Sequence, residues 1–91
     1  GVSGKIAERM AFIMQEMGAA NRQVISITHL PQISAMGQHH YKVWQEDTAT
    51  ATLSHISPLT KEERITEIAN MLSGSNVTPE AINNARALLG L

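Results

Sequence analysis

The 91-residue chain contains no cysteine, which excludes disulfide cross-links and metal centres with thiolate ligands. Aromatic residues are also scarce, with one Trp, one Tyr and one Phe. Three aromatic rings without a stripe of basic residues do not form a platform on which nucleic-acid bases stack.

The chain also lacks an excess of charge and a long apolar run. Seven Lys and Arg residues face eight Asp and Glu residues, for a net charge of −1. No overall positive field therefore attracts nucleic acid or anionic lipid. No apolar run approaches the roughly 20 residues of a membrane-spanning helix, and no signal peptide opens the sequence. These absences predict a cytoplasmic protein without membrane contact.

What is present is typical of one small globular unit. Hydrophobic residues make up 43% of the sequence, and no internal repeat or linker interrupts it. The periodicities predict an α/β fold with the element order α-β-α-β-β-α-α.

The first helix is predicted over residues 3–17, capped by Ser3 and ended by Gly18 in a left-handed conformation. Its apolar stripe, predicted to be core, comprises Ile6, Met10, Ile13, Met14 and Met17. The β-rich run 23–28 predicts a strand of a parallel sheet, buried on both faces. The preceding strand of a βαβ unit is not in this sequence, so we expect the backbone groups of residues 23–28 to lack a sheet neighbour. We therefore expect self-association or strand exchange.

Later elements carry local signals. A short helix is predicted over residues 32–36, closed by Gly37, followed by strands at 39–45 and 48–56 that turn near residues 46 and 47. Thr60 and Glu63 form the pattern of a capping box, which begins a helix that Gly74 ends. Thr78 and Pro79 predict the start of a last helix.

Gly1, Gly4 and Lys5 superficially resemble a phosphate-binding loop. That loop requires four residues between its glycines and Ser or Thr after its lysine. Here two residues separate the glycines and Ile6 follows the lysine, so no P-loop is predicted.

His29 is the main candidate for function, because it follows the predicted buried strand, where open α/β sheets bind ligands. Pro31 stiffens the loop, and Thr28 and Gln32 add hydrogen-bonding capacity. Such a histidine can donate to a terminal phosphate oxygen or orient water. The alternative is a surface histidine without a task.

The four histidines do not predict a metal site. His39 and His40 are adjacent on a predicted strand and point to opposite faces, and no acid or cysteine stands at ligand spacing beside them. We expect partly buried structural roles for them and for His55. Tyr41 and Trp44 are predicted to be packing residues.

Two further groups have ordinary interpretations. The charged residues 61–64 and Glu67 predict a solvated helix face with local ion pairs. The methionines are predicted to fill the core, although the cluster near the first helix also fits a face that another protein covers. That cluster comprises Met10, Met14, Met17 and Met36.

Three stretches together resemble the C-terminal part of the RecN family of bacterial DNA repair proteins, in the SMC-like branch of the ABC-type ATPases. They are Gly-Val-Ser-Gly at 1–4, Ile-Ser-Ile-Thr-His-Leu-Pro-Gln at 25–32 and His-His-Tyr-Lys-Val at 39–43. The tail, with Ala-Asn-Met-Leu-Ser-Gly at 69–74, also fits. The resemblance covers essentially the whole chain, and Thr-His-Leu-Pro-Gln is its most specific part.

The resemblance implies that residues 1–91 are an incomplete domain, the C-terminal part of a P-loop NTPase head of the ABC/SMC-like type. Residues Gly1, Val2, Ser3 and Gly4 match the end of the D-loop, which lies across the dimer interface near the partner's nucleotide. His29 matches the switch histidine, which contacts the γ-phosphate of ATP and so has a catalytic and nucleotide-binding role. Gln32 fits the family pattern, but no catalytic role follows for it.

Other family elements are absent from these 91 residues: the P-loop, signature motif, Walker B aspartate, catalytic glutamate and coiled-coil arms. Phosphoryl transfer needs phosphate cradling, a held metal ion and a positioned water. We therefore expect the isolated chain neither to bind ATP appreciably nor to hydrolyse it, whereas the parent would be an ATPase that uses ATP and Mg²⁺.

The implied partners are the rest of the same head, a second head in a homodimer, and DNA through a nucleoid-associated parent acting in recombinational repair of double-strand breaks. One alternative is a freestanding α/β module whose His29 loop binds a protein or small anion. A regulatory nucleic-acid-binding domain is a third reading, which the net charge of −1 disfavours. A reading frame that continues upstream into a strand ending in Asp-Glu would favour the ATPase.

Overall fold

A computed structural model describes residues 4–91 as four helices and one antiparallel strand pair. The elements are α1 (Gly4–Ala19), α2 (Pro31–Met36), β1 (Tyr41–Asp47), β2 (Thr52–Pro58), α3 (Lys61–Ser73) and α4 (Pro79–Leu89). The mixture of helix and strand agrees with an α/β fragment. In the described part of the chain, no helix combines the length and apolarity needed to cross a membrane.

The predicted strand at 23–28 does not form, so the order is α-α-β-β-α-α rather than α-β-α-β-β-α-α. Residues 22–28 adopt neither helix nor strand. The predicted burial is also wrong, because Ile25 is 81% and Ile27 100% exposed. A parallel strand is stabilised by ladders with its neighbours, and β1 and β2 are paired with each other instead.

Helices α2, α3 and α4 enclose the larger core. Its buried residues are Ala35, Ile65, Ile68, Ala69, Ala81 and Ala85. Both helix starts are confirmed: the Thr60–Glu63 capping box forms in full, and the Thr78 side chain accepts a hydrogen bond from the Ala81 N–H. Gly74 ends α3 with a φ of 74°, a conformation that favours glycine.

Helix α1 packs on α2 through a face other than the predicted one. Ala7 and Ala11 are buried against Ile33, with Met14 half-buried beside them. The remaining predicted core residues, Ile6, Met10, Ile13 and Met17, are 40–57% exposed. The alanines' small side chains let the helices approach closely, which leaves the larger residues outside.

The end of α1 also differs from the prediction. The helix continues through Gly18 to Ala19, and Asn21, not Gly18, takes the left-handed conformation with a φ of 65°. Asparagine tolerates this region better than most residues with a side chain. The predicted cap at Ser3 lies outside the described residues.

The strand pair is shifted from its predicted bounds of 39–45 and 48–56. Thr48 closes the connection, since its Oγ1 donates to the Ala51 carbonyl (2.8 Å) and accepts from the Ala51 N–H (3.0 Å). Glu46 and Asp47 therefore stay paired within β1, opposite Leu53 and Thr52, instead of forming the turn.

The two aromatic residues of β1 are not the packing residues predicted. Tyr41 and Trp44 are both exposed. Trp44 stacks on its cross-strand neighbour His55 with ring centroids 5.1 Å apart. Because the strand pair has no covering layer on either face within the described residues, its rings contact one another and solvent.

The strand pair joins α3 through polar contacts. Lys42 Nζ lies 3.1 Å from Glu67 Oε2, so Glu67 pairs with a strand and not with a local helical neighbour. Arg64 is half-buried, and its Nη2 donates to the Gly37 carbonyl at 3.2 Å. The prediction of a solvated charged face with local pairs is therefore wrong for Arg64 and Glu67.

Candidate functional site

The start of α1 lies beside the first turn of α2. A Cβ built on Gly4 would be 3.8 Å from Gln32 Nε2, an ordinary van der Waals contact. Gly4 is the described end of segment 1–4, which was matched to the end of the D-loop. Gln32 follows His29 by three residues. The fold thus brings Gly4 close to the loop that carries His29. Gly1, Val2 and Ser3 lie outside the described residues.

The loop that carries His29 is fixed on both sides. Thr28 Oγ1 accepts a hydrogen bond from the Leu30 N–H at 3.0 Å, which closes a tight turn around His29. Leu30 is half-buried against the Ala7, Ala11 and Ile33 cluster, and Pro31 begins α2. His29 itself is exposed. Its imidazole is therefore accessible to a ligand while its backbone is held.

The predicted position of His29 at the end of a sheet strand is not observed, because the residues before it form no strand. Its place in the fold comes from the Thr28 turn and the Leu30 contact instead. The sequence indicates the hydrogen-bonding capacity of Thr28, but it does not indicate that the Thr28 turn or the Leu30 contact positions a site.

Gln32 is half-buried on the first turn of α2. Its amide carries two donor hydrogens and one acceptor oxygen. Within residues 4–91, no hydrogen bond to this amide is formed. Sequence reasoning gave Gln32 hydrogen-bonding capacity but no catalytic role, and its proximity to Gly4 could be found only from the packing of α1 on α2.

The other histidines have separate environments. His55 Nε2 lies 3.0 Å from Glu46 Oε2, His40 contacts Gly37 and Arg64, and His39 is exposed. The partly buried structural roles are thus observed for His40 and His55. Across the described part of the chain, no three His, Asp or Glu residues form a group that could hold a metal ion.

The pKa of His40 is lowered from its ordinary value of 6.5. Burial is the main cause, since it penalises the charged ring, followed by the positive charge of Arg64. The hydrogen bond with the Gly37 carbonyl opposes this shift, and nearby His39 adds a smaller lowering.

Two open grooves of about 310 and 400 Å³ lie between the strand pair and α3. Both are lined by Lys42, Leu59 and Glu63, and Trp44 borders the second. His29 and Gln32 line neither groove. The grooves are therefore distinct from the His29 loop.

No family model matches this chain. The DNA repair protein RecN of Deinococcus radiodurans is 44% identical over 89 residues, which is 98% of this chain and 15% of that protein. The DNA repair proteins RecN of Vibrio cholerae and Bacillus subtilis are 35% and 36% identical, again over 98% of this chain.

The chain spans about 15% of the length of these relatives. The match nevertheless includes nearly every residue of the chain, and it recurs across distant bacteria at 31–44% identity. The chain therefore belongs to the RecN family and corresponds to a segment of its longer members.

Proposed function

We propose that this chain is the C-terminal part of the ATP-binding head of a RecN-like DNA repair protein. There it contributes the end of the D-loop, at residues Gly1–Gly4, and the switch-histidine loop, with His29. The observation that carries the proposal is the exposed His29 side chain on a loop that the Thr28 turn and the half-buried Leu30 hold in place.

His29 would act on the γ-phosphate of ATP bridging two heads. Its ring N–H can donate to a phosphate oxygen and stabilise the charge of the transition state. The rigid turn at Thr28 supports this role, because a donor that is already positioned loses little free energy on ordering. The P-loop, the Mg²⁺ ligands and the catalytic carboxylate would come from other parts of the head.

In the parent, ATP would hold two heads together as a homodimer and hydrolysis would let them separate, coupled to the repair of DNA breaks. The net charge of −1 supports DNA contacts located elsewhere in the parent. We place the parent in the cytoplasm, associated with the nucleoid.

A second candidate function is a protein-interaction module without nucleotide chemistry. The exposed apolar face of α1, with Met10, Ile13 and Met17, favours it. The same face would, however, be covered by the rest of an ATPase head. The two functions differ in the ligand of the His29 loop, which is the γ-phosphate of ATP in the first and a protein or small anion in the second.

The test uses the full-length protein with His29→Ala and, as matched control, His39→Ala, which removes another exposed histidine. We expect His29→Ala to lower kcat by about tenfold or more while the Kd for ATP changes by about twofold or less. The His39→Ala variant should match the unmodified protein. Wild-type turnover in His29→Ala, or equal losses in kcat and affinity, would reject the proposed role.

A further inference from the structure

We infer that Thr28 is a positioning residue, whose hydroxyl group fixes the direction in which the His29 side chain leaves its loop. The inference rests on the proposed function, in which His29 contacts the γ-phosphate of ATP, and it adds a second residue to that site. Thr28 acts through His29 and need not touch nucleotide itself.

The hydrogen bond of Thr28 spans His29. The Thr28 Oγ1 accepts from the Leu30 N–H at 3.0 Å, in a half-buried setting. A hydroxyl that accepts from the N–H two residues later closes a turn, which restricts the backbone angles of the residue between them. Threonine suits this position because its branched Cβ limits the rotation of the side chain. The direction of the His29 Cα–Cβ bond therefore depends on the Thr28 hydroxyl.

Leu30 gives this turn a fixed end. Its carbonyl oxygen accepts from the Ser34 N–H at 3.0 Å, in the first turn of α2. Its side chain is half-buried against the cluster of Ala7, Ala11 and Ile33. Because Leu30 is held at both its carbonyl and its side chain, the hydrogen bond to its N–H ties the turn to the packed helices α1 and α2.

The chain on the other side of His29 is less restrained. Residues 22–27 adopt neither helix nor strand, and Ile27, directly before Thr28, is fully exposed. The His29 side chain is also exposed, so close packing does not fix its ring. Within residues 4–91, the hydrogen bond of Thr28 is therefore the contact that restrains His29 from its N-terminal side.

A hydrogen bond to a phosphate oxygen forms only over a narrow range of distance and angle. Without the Thr28 hydroxyl, the Leu30 N–H would bond to water and the backbone at His29 would adopt a wider range of conformations. The ring would then reach the γ-phosphate in a smaller fraction of the bound complexes. The loss of turnover should therefore be real but smaller than the loss on removing the ring itself.

The experiment measures ATP hydrolysis by the full-length protein with Thr28→Val, which keeps the shape of the side chain but removes the hydroxyl. Thr28→Ser keeps the hydroxyl, and Thr50→Val is the matched control, because Thr50 is exposed in the connection between β1 and β2.

We expect Thr28→Val to lower kcat by about fivefold, which corresponds to about 1 kcal/mol, the net contribution of one hydrogen bond. The Kd for ATP should change by about twofold or less, since the step affected follows binding. Thr28→Ser should keep kcat within about twofold of the unmodified protein, because its hydroxyl can close the same turn. The Thr50→Val control should match the unmodified protein.

A double variant then separates positioning from an independent role. If Thr28 acts through His29, adding Thr28→Val to His29→Ala lowers kcat no further. Additive losses, equal losses in Thr28→Val and Thr28→Ser, or equal losses in kcat and ATP affinity would each overturn the inference. Wild-type turnover in Thr28→Val, or its failure to fold, would overturn it as well. Wild-type turnover in His29→Ala would instead reject the proposed function and this inference with it, so the two failures are distinguishable.

Discussion

Arg64 of α3 reaches His40 before β1, with its Nη2 3.3 Å from His40 Nε2 and 3.2 Å from the Gly37 carbonyl oxygen. A guanidinium has donors only, so it is compatible with a neutral imidazole whose Nε2 accepts, in which case the Gly37 carbonyl accepts from Arg64, and it repels an imidazolium. The contact with His40 joins the segment between α2 and β1 to α3 across 24 residues of sequence. It makes the docking of these elements sensitive to the charge of one histidine.

The stability of the chain should therefore fall on mild acidification. The folded-state pKa of His40 lies below its ordinary 6.5, so the neutral ring favours folding. This stabilisation is fully present above pH of about 6.5 and is lost as the pH falls through the lowered folded-state value. Urea unfolding followed by circular dichroism at several pH values would measure the loss.

Two variants serve as controls for this pH dependence. His40→Gln removes the titrating ring and should flatten the stability profile just below neutral pH. His39→Gln removes the exposed neighbour and should leave most of the dependence in place. An unchanged profile in His40→Gln would show that another group is responsible.

Truncation of two isoleucines should change the stability of the isolated chain by very different amounts. Ile68 is 1% exposed and Ile27 is fully exposed. We expect Ile68→Ala to lower the free energy of unfolding by about 2 to 5 kcal/mol, a large fraction of the total for a domain of this size. Ile27→Ala should stay within about 0.5 kcal/mol. Urea or thermal unfolding would measure both.

In the full-length protein the Ile27 result should change. If residues 23–28 form a covered strand in the full-length protein, Ile27→Ala should lower the free energy of unfolding there by about 2 kcal/mol or more. Equal, negligible effects in both settings would show that the segment stays exposed.

The isolated chain should self-associate. Val24, Ile25 and Ile27 lie in an exposed segment without helix or strand structure, and residues of such high β-propensity can pair with another chain. Velocity sedimentation over a wide range of loading concentrations should show oligomers, and Ile27→Lys should reduce them. A single monomeric species at every concentration would contradict this expectation.

The isolated chain should also fail to bind ATP. Under the proposed function His29 would supply one phosphate contact, whereas enzymes of phosphoryl transfer hold nucleotide with a phosphate-cradling loop and a bound metal ion. Calorimetric titration with ATP and Mg²⁺ should give no measurable heat of binding. A low-micromolar Kd would show that the described residues hold nucleotide by themselves.

Helix ends were predictable from sequence because their signals are local. Thr60 and Glu63 satisfy each other's backbone N–H groups within one turn, and Gly74 accommodates a positive φ without help from distant residues. The start of α4 at Thr78 is set in the same way. Such features can be predicted without knowledge of the rest of the protein.

The strand at residues 23–28 and the buried face of α1 were not predictable in the same way. The composition of residues 23–28 favours a strand, but a ladder depends on partners. For α1, helical periodicity identified the large apolar residues, whereas the packing distance to Ile33 selected Ala7 and Ala11. The proximity of Gln32 to Gly4 depends on that same packing and was therefore missed.

The strand pair meets α3 through the Lys42–Glu67 ion pair, in which both side chains remain partly exposed to solvent. An ion pair in such a setting contributes little free energy, so the strands can open while the helical core stays intact. Hydrogen exchange should then separate the chain into two kinetic classes. Amides of β1 and β2 would exchange through frequent local opening, whereas amides in the middle of α3 would exchange only through global unfolding.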